Sequence, residues 1–209
     1  MKKEMNRYLT RRKKDVAGER PLMRSYTDQY YLNYPKSTVL MYALQDYVGE
    51  DRVNRALRKI VKEYGHKEDV FPTSLDVVNS FKQVTPDSLQ YIISDLFETI
   101  TLWENEAKSA SYVKLDDGKY KVRLDVSTHK FRADSIGNQT EIPIQDYIDI
   151  GVLGENDQKL YLEKHKFIQN ESDFEIIVDQ KPVRAGIDPY LILIDRERGN
   201  NLVEVKASK

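Results

Sequence analysis

Along the first hundred positions apolar residues fall three and four apart, and beyond Thr101 they fall two apart. The first spacing lines one face of a helix, the second one face of a strand. Met5, Tyr8, Leu9 and Arg12 share a face of a first helix, which Ala17-Gly18-Glu19-Arg20-Pro21 breaks. Val39, Leu40, Ala43, Leu44, Tyr47 and Val48 predict a second. Pro35 suits its first turn, where a missing N–H forfeits no intrahelical bond. Tyr34 then stands just before the helix, where its hydroxyl can face a cleft. Asp51 is a good cap for a third helix, whose stripe Val53, Ala56, Leu57, Ile60, Val61 and Tyr64 closes at Gly65. Thr73 or Ser74 caps the next, with Leu75, Val78 and Phe81 facing inward. Thr85-Pro86 starts another, whose apolar face is Leu89, Ile92, Ile93, Leu96, Phe97 and Ile100.

The alternating half opens with Tyr112, Leu115, Tyr120, Val122, Leu124 and Val126 around Asp116-Asp117-Gly118-Lys119, a hairpin turn. Further strands are expected over Lys130 to Ala133, Glu141 to Ile144, Tyr147 to Val152, Lys159 to Phe167, Phe174 to Val178 and Leu191 to Ile194. Turn-forming clusters such as Gly154-Glu155-Asn156-Asp157 and Asn170-Glu171-Ser172-Asp173 separate them. The pattern predicts an α+β chain of two domains: an α-helical bundle over residues 1–106, then an antiparallel immunoglobulin-like β-sandwich over residues 107–209.

Composition narrows the chemistry. The 209 residues carry a net charge of −1 with both signs interspersed, so no overall field attracts nucleic acid or a membrane surface. No apolar run approaches the roughly 20 residues that span a bilayer, so direct membrane insertion by this chain is not expected. Seven basic residues crowd positions 1–14, which reads as a solvated helix face. The chain has no cysteine, which excludes disulfides and thiolate metal sites.

The stretch Tyr34-Pro35-Lys36-Ser37 followed by an apolar helix resembles the Tyr-x-Lys-Gly segment of the M1 family of zinc aminopeptidases, the gluzincins. Gly49-Glu50-Asp51-Arg52-Val53, Pro72-Thr73-Ser74-Leu75-Asp76 and Gly186-Ile187-Asp188-Pro189-Tyr190 extend the resemblance in order over most of the chain. It is closest to bacterial members in which the peptidase unit follows membrane-spanning transporter segments. Ser37 stands where the family usually has glycine. The resemblance implies that Tyr34 is a catalytic residue, donating a hydrogen bond to the oxyanion formed when zinc-bound hydroxide attacks a peptide carbonyl. It also implies a C-terminal fragment: zinc and the peptide substrate belong to a full-length parent, with an upstream catalytic segment as partner and possible attachment to a membrane.

A gluzincin zinc site needs His-Glu-x-x-His on one helix, and His66, His129 and His165 are isolated. No metal or cofactor is therefore expected in this chain, which alone is expected to be inactive. Two readings of Tyr34 stand: the oxyanion donor, or an aromatic packed at a helix start. Lys36 reads as an exposed helix-start residue, and Tyr30 and Tyr31 as possible walls of the same cleft. For the whole chain the alternative is a non-catalytic M1-like module for protein interaction or docking.

Overall fold

The computed structural model describes residues 1–65 and 67–208. Among the described residues five helices come first: α1 (Lys2–Arg12), α2 (Ser37–Val48), α3 (Glu50–Tyr64), α4 (Ser74–Val84) and the short α5 (Gln90–Ile93). Nine strands follow: β1 (Ile100–Lys114), β2 (Tyr120–Ala133), β3 (Gln139–Ile142), β4 (Asp146–Leu153), β5 (Lys159–Phe167), β6 (Glu171–Val178), β7 (Arg184–Ile187), β8 (Leu202–Glu204) and β9 (Lys206–Ala207). They form two mostly antiparallel sheets. One runs β3-β2-β1-β9 with β6 also paired to β2, and the other runs β5-β4-β7-β8. The fold is α+β, helices first. No helix among the described residues is long and apolar enough to cross a membrane.

Two compact units divide the chain. Unit 1 comprises Met1–Thr101, Arg132–Thr140 and Ile192–Ile194, and unit 2 comprises Leu102–Phe131, Glu141–Leu191 and Asp195–Lys209. In unit 1 the fully buried side chains include Met5, Tyr8, Leu40, Leu44, Phe81 and Ile92. The rings of Phe81 and Phe97 meet at 5.5 Å. The start of α4 follows the expectation: the Thr73 hydroxyl accepts from the Asp76 N–H, and the Asp76 carboxylate accepts from the Thr73 N–H. This reciprocal box satisfies donors that a bare helix start leaves open.

The α3 stripe departs from expectation. Val53 and Ala56 are buried, but Leu57 and Val61 are exposed, as are Phe71 and Leu75 nearby in sequence. α4 meets α3 along the Ala56 side, where the Ser80 hydroxyl donates to the Ala56 carbonyl at 3.0 Å.

Unit 2 is built on long strands. Leu115 and Lys119 close the β1–β2 hairpin, with Gly118 at φ +87°, a conformation that favours glycine. Val122, Leu124 and Val126 face a core while Arg123 is exposed, as the alternation predicts. β4 is instead buried almost throughout, because β5 and β7 flank it and Pro189 lies against Gly151. Leu191–Ile194 is not a strand. Asp188 and Leu191 adopt positive φ, and Ile192, Leu193 and Ile194 are buried in an irregular segment. The strand lies just before it, in β7, where Gly186 pairs with Gly151 on one side and Leu202 on the other.

A Cβ on Gly186 would stand 1.8 Å from the Asn201 carbonyl oxygen, a backbone atom that cannot swing away. Gly186→Ala is therefore expected to destabilise unit 2 by about 1–3 kcal/mol or more. Trp103, the sole tryptophan of the chain, lies in this unit, so its fluorescence in a urea titration reads the loss. An unchanged midpoint would show that β8 moves aside freely.

Candidate functional site

The Tyr26–Tyr47 stretch is helical earlier than its proline suggests. Helical backbone starts at Tyr30, and Leu32–Lys36 forms a π-turn with Pro35 inside it. The proline has no N–H to donate one turn back, and the wider turn accommodates the lost bond. Side chains take up the carbonyls: Ser37 Oγ donates to the Asn33 oxygen at 2.7 Å, and Thr38 Oγ1 to the Tyr34 oxygen at 2.8 Å. Ser37 thus contributes a hydroxyl bond that glycine could not. Its neighbour Tyr34 lies within the helical run rather than before it.

Lys36 is not an exposed helix-start residue: it is 1% exposed. Its Nζ donates to Glu19 Oε1 at 2.6 Å and lies 5.2 Å from the centre of the Tyr8 ring. Glu19, 3% exposed, also accepts from the Tyr8 hydroxyl at 2.7 Å and from Arg12 Nε. At Gly18, where φ is +86°, a Cβ would stand 2.8 Å from the Ser135 carbonyl oxygen, which accepts the Glu19 N–H at 2.8 Å. The backbone therefore holds the carboxylate where two cations meet it. Burial alone would raise the Glu19 pKa, but Lys36 and Arg12 outweigh it, and the carboxyl titrates below its ordinary value. Burial is the main cause that holds the Lys36 pKa below its ordinary value; Glu19 opposes it, and Arg12 adds a smaller repulsion. The Tyr8 phenol is pushed well up by burial and by Glu19, so it stays a donor.

A second layer braces the loop. Asp15 accepts from the Tyr31 hydroxyl at 2.6 Å and from Gln29 Nε2 at 3.1 Å, while Gln29 also donates to the Gly18 carbonyl at 2.9 Å. The bond from Tyr31 leads in holding Asp15 below its ordinary pKa. The Tyr8 and Tyr31 rings stack at 6.2 Å.

Tyr34 itself is 59% exposed and lies against Tyr30, ring centres 4.6 Å apart. Its hydroxyl has no partner among the described residues. Next to this ring pair is a cavity of about 630 Å³. Helix α1 lines it with Asn6, Arg7, Thr10 and Arg11; the loop adds Asp28, Tyr30, Tyr31 and Pro35. Tyr30 and Tyr31 line this cavity, but Tyr34 is not among its lining residues.

The two described histidines belong to unit 2. His129 Nδ1 is 2.7 Å from Glu141 and 3.1 Å from Asn170, and His165 Nε2 is 2.7 Å from the Tyr161 hydroxyl. His66 lies outside the described residues. Among the described residues no group of three or more His, Cys, Asp or Glu side chains is placed to hold a metal ion. Other buried carboxylates serve structure. Asp146 accepts from Trp103 Nε1 and Lys130 Nζ, both at 2.8 Å, and Asp195 accepts backbone N–H bonds from Asn105 and Glu197.

Sequence reasoning missed the Glu19–Lys36 pair, although a signal existed. Lys36 falls three and four positions before Val39 and Leu40, in register with the apolar face of α2. A cation on that stripe must be buried, and a buried cation needs an anion. Among known proteins, no family model matches this chain, and no curated protein matches it.

Proposed function

We propose that this chain is the C-terminal portion of an M1-like zinc aminopeptidase, in which Tyr34 stabilises the charge that develops on an attacked peptide carbonyl. In this reading the upstream part of the protein supplies zinc and its ligands, and the β half is an immunoglobulin-like sandwich. One observation carries it: an exposed phenol with an unpaired hydroxyl sits on a turn anchored two residues later by a buried ion pair. A donor of this kind meets the requirement for electrostatic catalysis, which is a hydrogen bond held in place before the charge appears. Tyr31 donates to Asp15 and the Tyr30 oxygen accepts from Arg7, so of the three only the Tyr34 hydroxyl has no partner among the described residues. No metal step is assigned to this chain's own residues.

Hydrolysis separates the parts. The intact parent is expected to release N-terminal residues from peptides in a chelator-sensitive manner, while the 209-residue chain alone releases none. Zinc-dependent turnover by the chain alone would overturn the fragment reading. A second reading, a non-catalytic interaction module, draws on the exposed apolar side chains Leu57, Val61, Phe71 and Leu75. A corrupted His-Glu-x-x-His upstream would favour it, and an intact one with a later glutamate would favour the peptidase.

A further inference from the structure

The cavity beside Tyr30 holds two charged groups of opposite sign that do not pair. Arg11 and Asp28 both line it, and neither side chain has a hydrogen bond or ion pair among the described residues. The neighbouring Arg7 differs, since Glu4 holds it at 3.0 Å. Tyr30 and Tyr31 also line the cavity. The volume, about 630 Å³, falls within the usual range of small-ligand clefts.

A lone free arginine would fit any anion, and a lone free aspartate any cation. Both on one cavity fit a molecule that carries both charges. The guanidinium fork matches a carboxylate with two parallel N–H bonds, and a carboxylate accepts readily from an ammonium group. Aromatic rings in the lining offer apolar contact to a side chain. We propose that this cavity binds a short unblocked peptide as a zwitterion, its carboxylate on Arg11 and its α-ammonium on Asp28. The cavity's role as a peptide subsite of Tyr34 rests on the peptidase reading, whereas zwitterion binding to the chain does not.

The test is a titration of the ¹⁵N-labelled chain with the dipeptide Ala-Phe, its C-terminal amide and its N-acetyl form. Saturable shifts are expected at the amides of Arg11, Asp28 and Tyr30 with Ala-Phe, and each blocked form is expected to bind about tenfold more weakly, close to 1.4 kcal/mol. Arg11→Gln should abolish the preference for acid over amide, and Asp28→Asn the preference for free over acetylated amine. Both positions are exposed, and the dispersion of each variant's spectrum verifies its fold. Equal binding of all three forms, preferences that survive both substitutions, or no saturable shift at millimolar dipeptide would each overturn the proposal. Because binding needs no metal and no turnover, the two readings fail separately. A chain that binds Ala-Phe with these preferences, from a parent that hydrolyses nothing, removes the peptidase and keeps the cavity.

Discussion

Glu19→Gln is expected to lower the folding stability of unit 1 by about 3–5 kcal/mol, the usual loss when one partner of a buried ion pair is removed. The substitution keeps size and shape but leaves Lys36 and Arg12 facing each other without the anion between them. Far-UV circular dichroism follows the helices of unit 1 during urea unfolding, and Trp103 fluorescence follows unit 2 independently. Lys36→Met in the same background should recover part of the loss, since it removes the cation that Glu19 had compensated. The pH dependence gives a second readout. Glu19 titrates below its ordinary value when folded, so its contribution is present above the unfolded value of about 4.3 and is lost as pH falls through the folded one. The variant should lack that acid-limb loss. A change under about 1 kcal/mol, with an unaltered acid limb, would show that Lys36 does not depend on Glu19.

Much of the fold was legible where local chemistry and burial agree. Thr73 and Asp76 form a cap because threonine and an acid three residues on can satisfy each other's backbone donors. The hairpin at Asp116-Asp117-Gly118 follows from one residue that tolerates positive φ between two alternating runs. Illegible features depended on partners distant in sequence. Leu57, Val61 and Leu75 carry helical periodicity, but periodicity states which residues share a face and not whether anything covers it. Ile192-Leu193-Ile194 reads as a strand because three buried apolar residues look alike in a ladder or in an irregular plug. The positive φ of Leu191, which β-forming sequence does not announce, made the difference. β7 was hidden for the opposite reason: Gly186 is a weak strand former, kept there because the Asn201 carbonyl occupies its Cβ position.

The candidate site divides along the same line. Tyr34 stood out through the residues around it, while its support did not. Glu19 reads locally as part of a helix-breaking turn, and its reach to Lys36 crosses 17 positions. Pro35 reads locally as a helix start, yet the helix runs through it as a π-turn, with the Ser37 and Thr38 hydroxyls bonding the Asn33 and Tyr34 carbonyls.

On the proposed peptidase reading, Tyr34→Phe in a full-length parent is expected to reduce kcat by about a hundredfold or more, with little change in KM. The substitution removes one oxygen from a ring that is 59% exposed, and that oxygen bonds no described residue. Stability should therefore stay within about 0.5 kcal/mol of the natural protein, as for other surface changes. The tilted ring contact of Tyr34 with Tyr30 should survive, because phenylalanine keeps the ring. What disappears is the donor, which matters only when the carbonyl oxygen gains charge in the transition state, hence the asymmetry between kcat and KM. Tyr31→Phe provides the contrast. It strips a hydroxyl bonded to Asp15 at 2.6 Å, so its effect should register in stability. Steady-state kinetics and urea unfolding on both variants decide the matter. Tyr34→Phe with an unchanged kcat in an active parent would make Tyr34 a surface aromatic and withdraw it from the catalytic site.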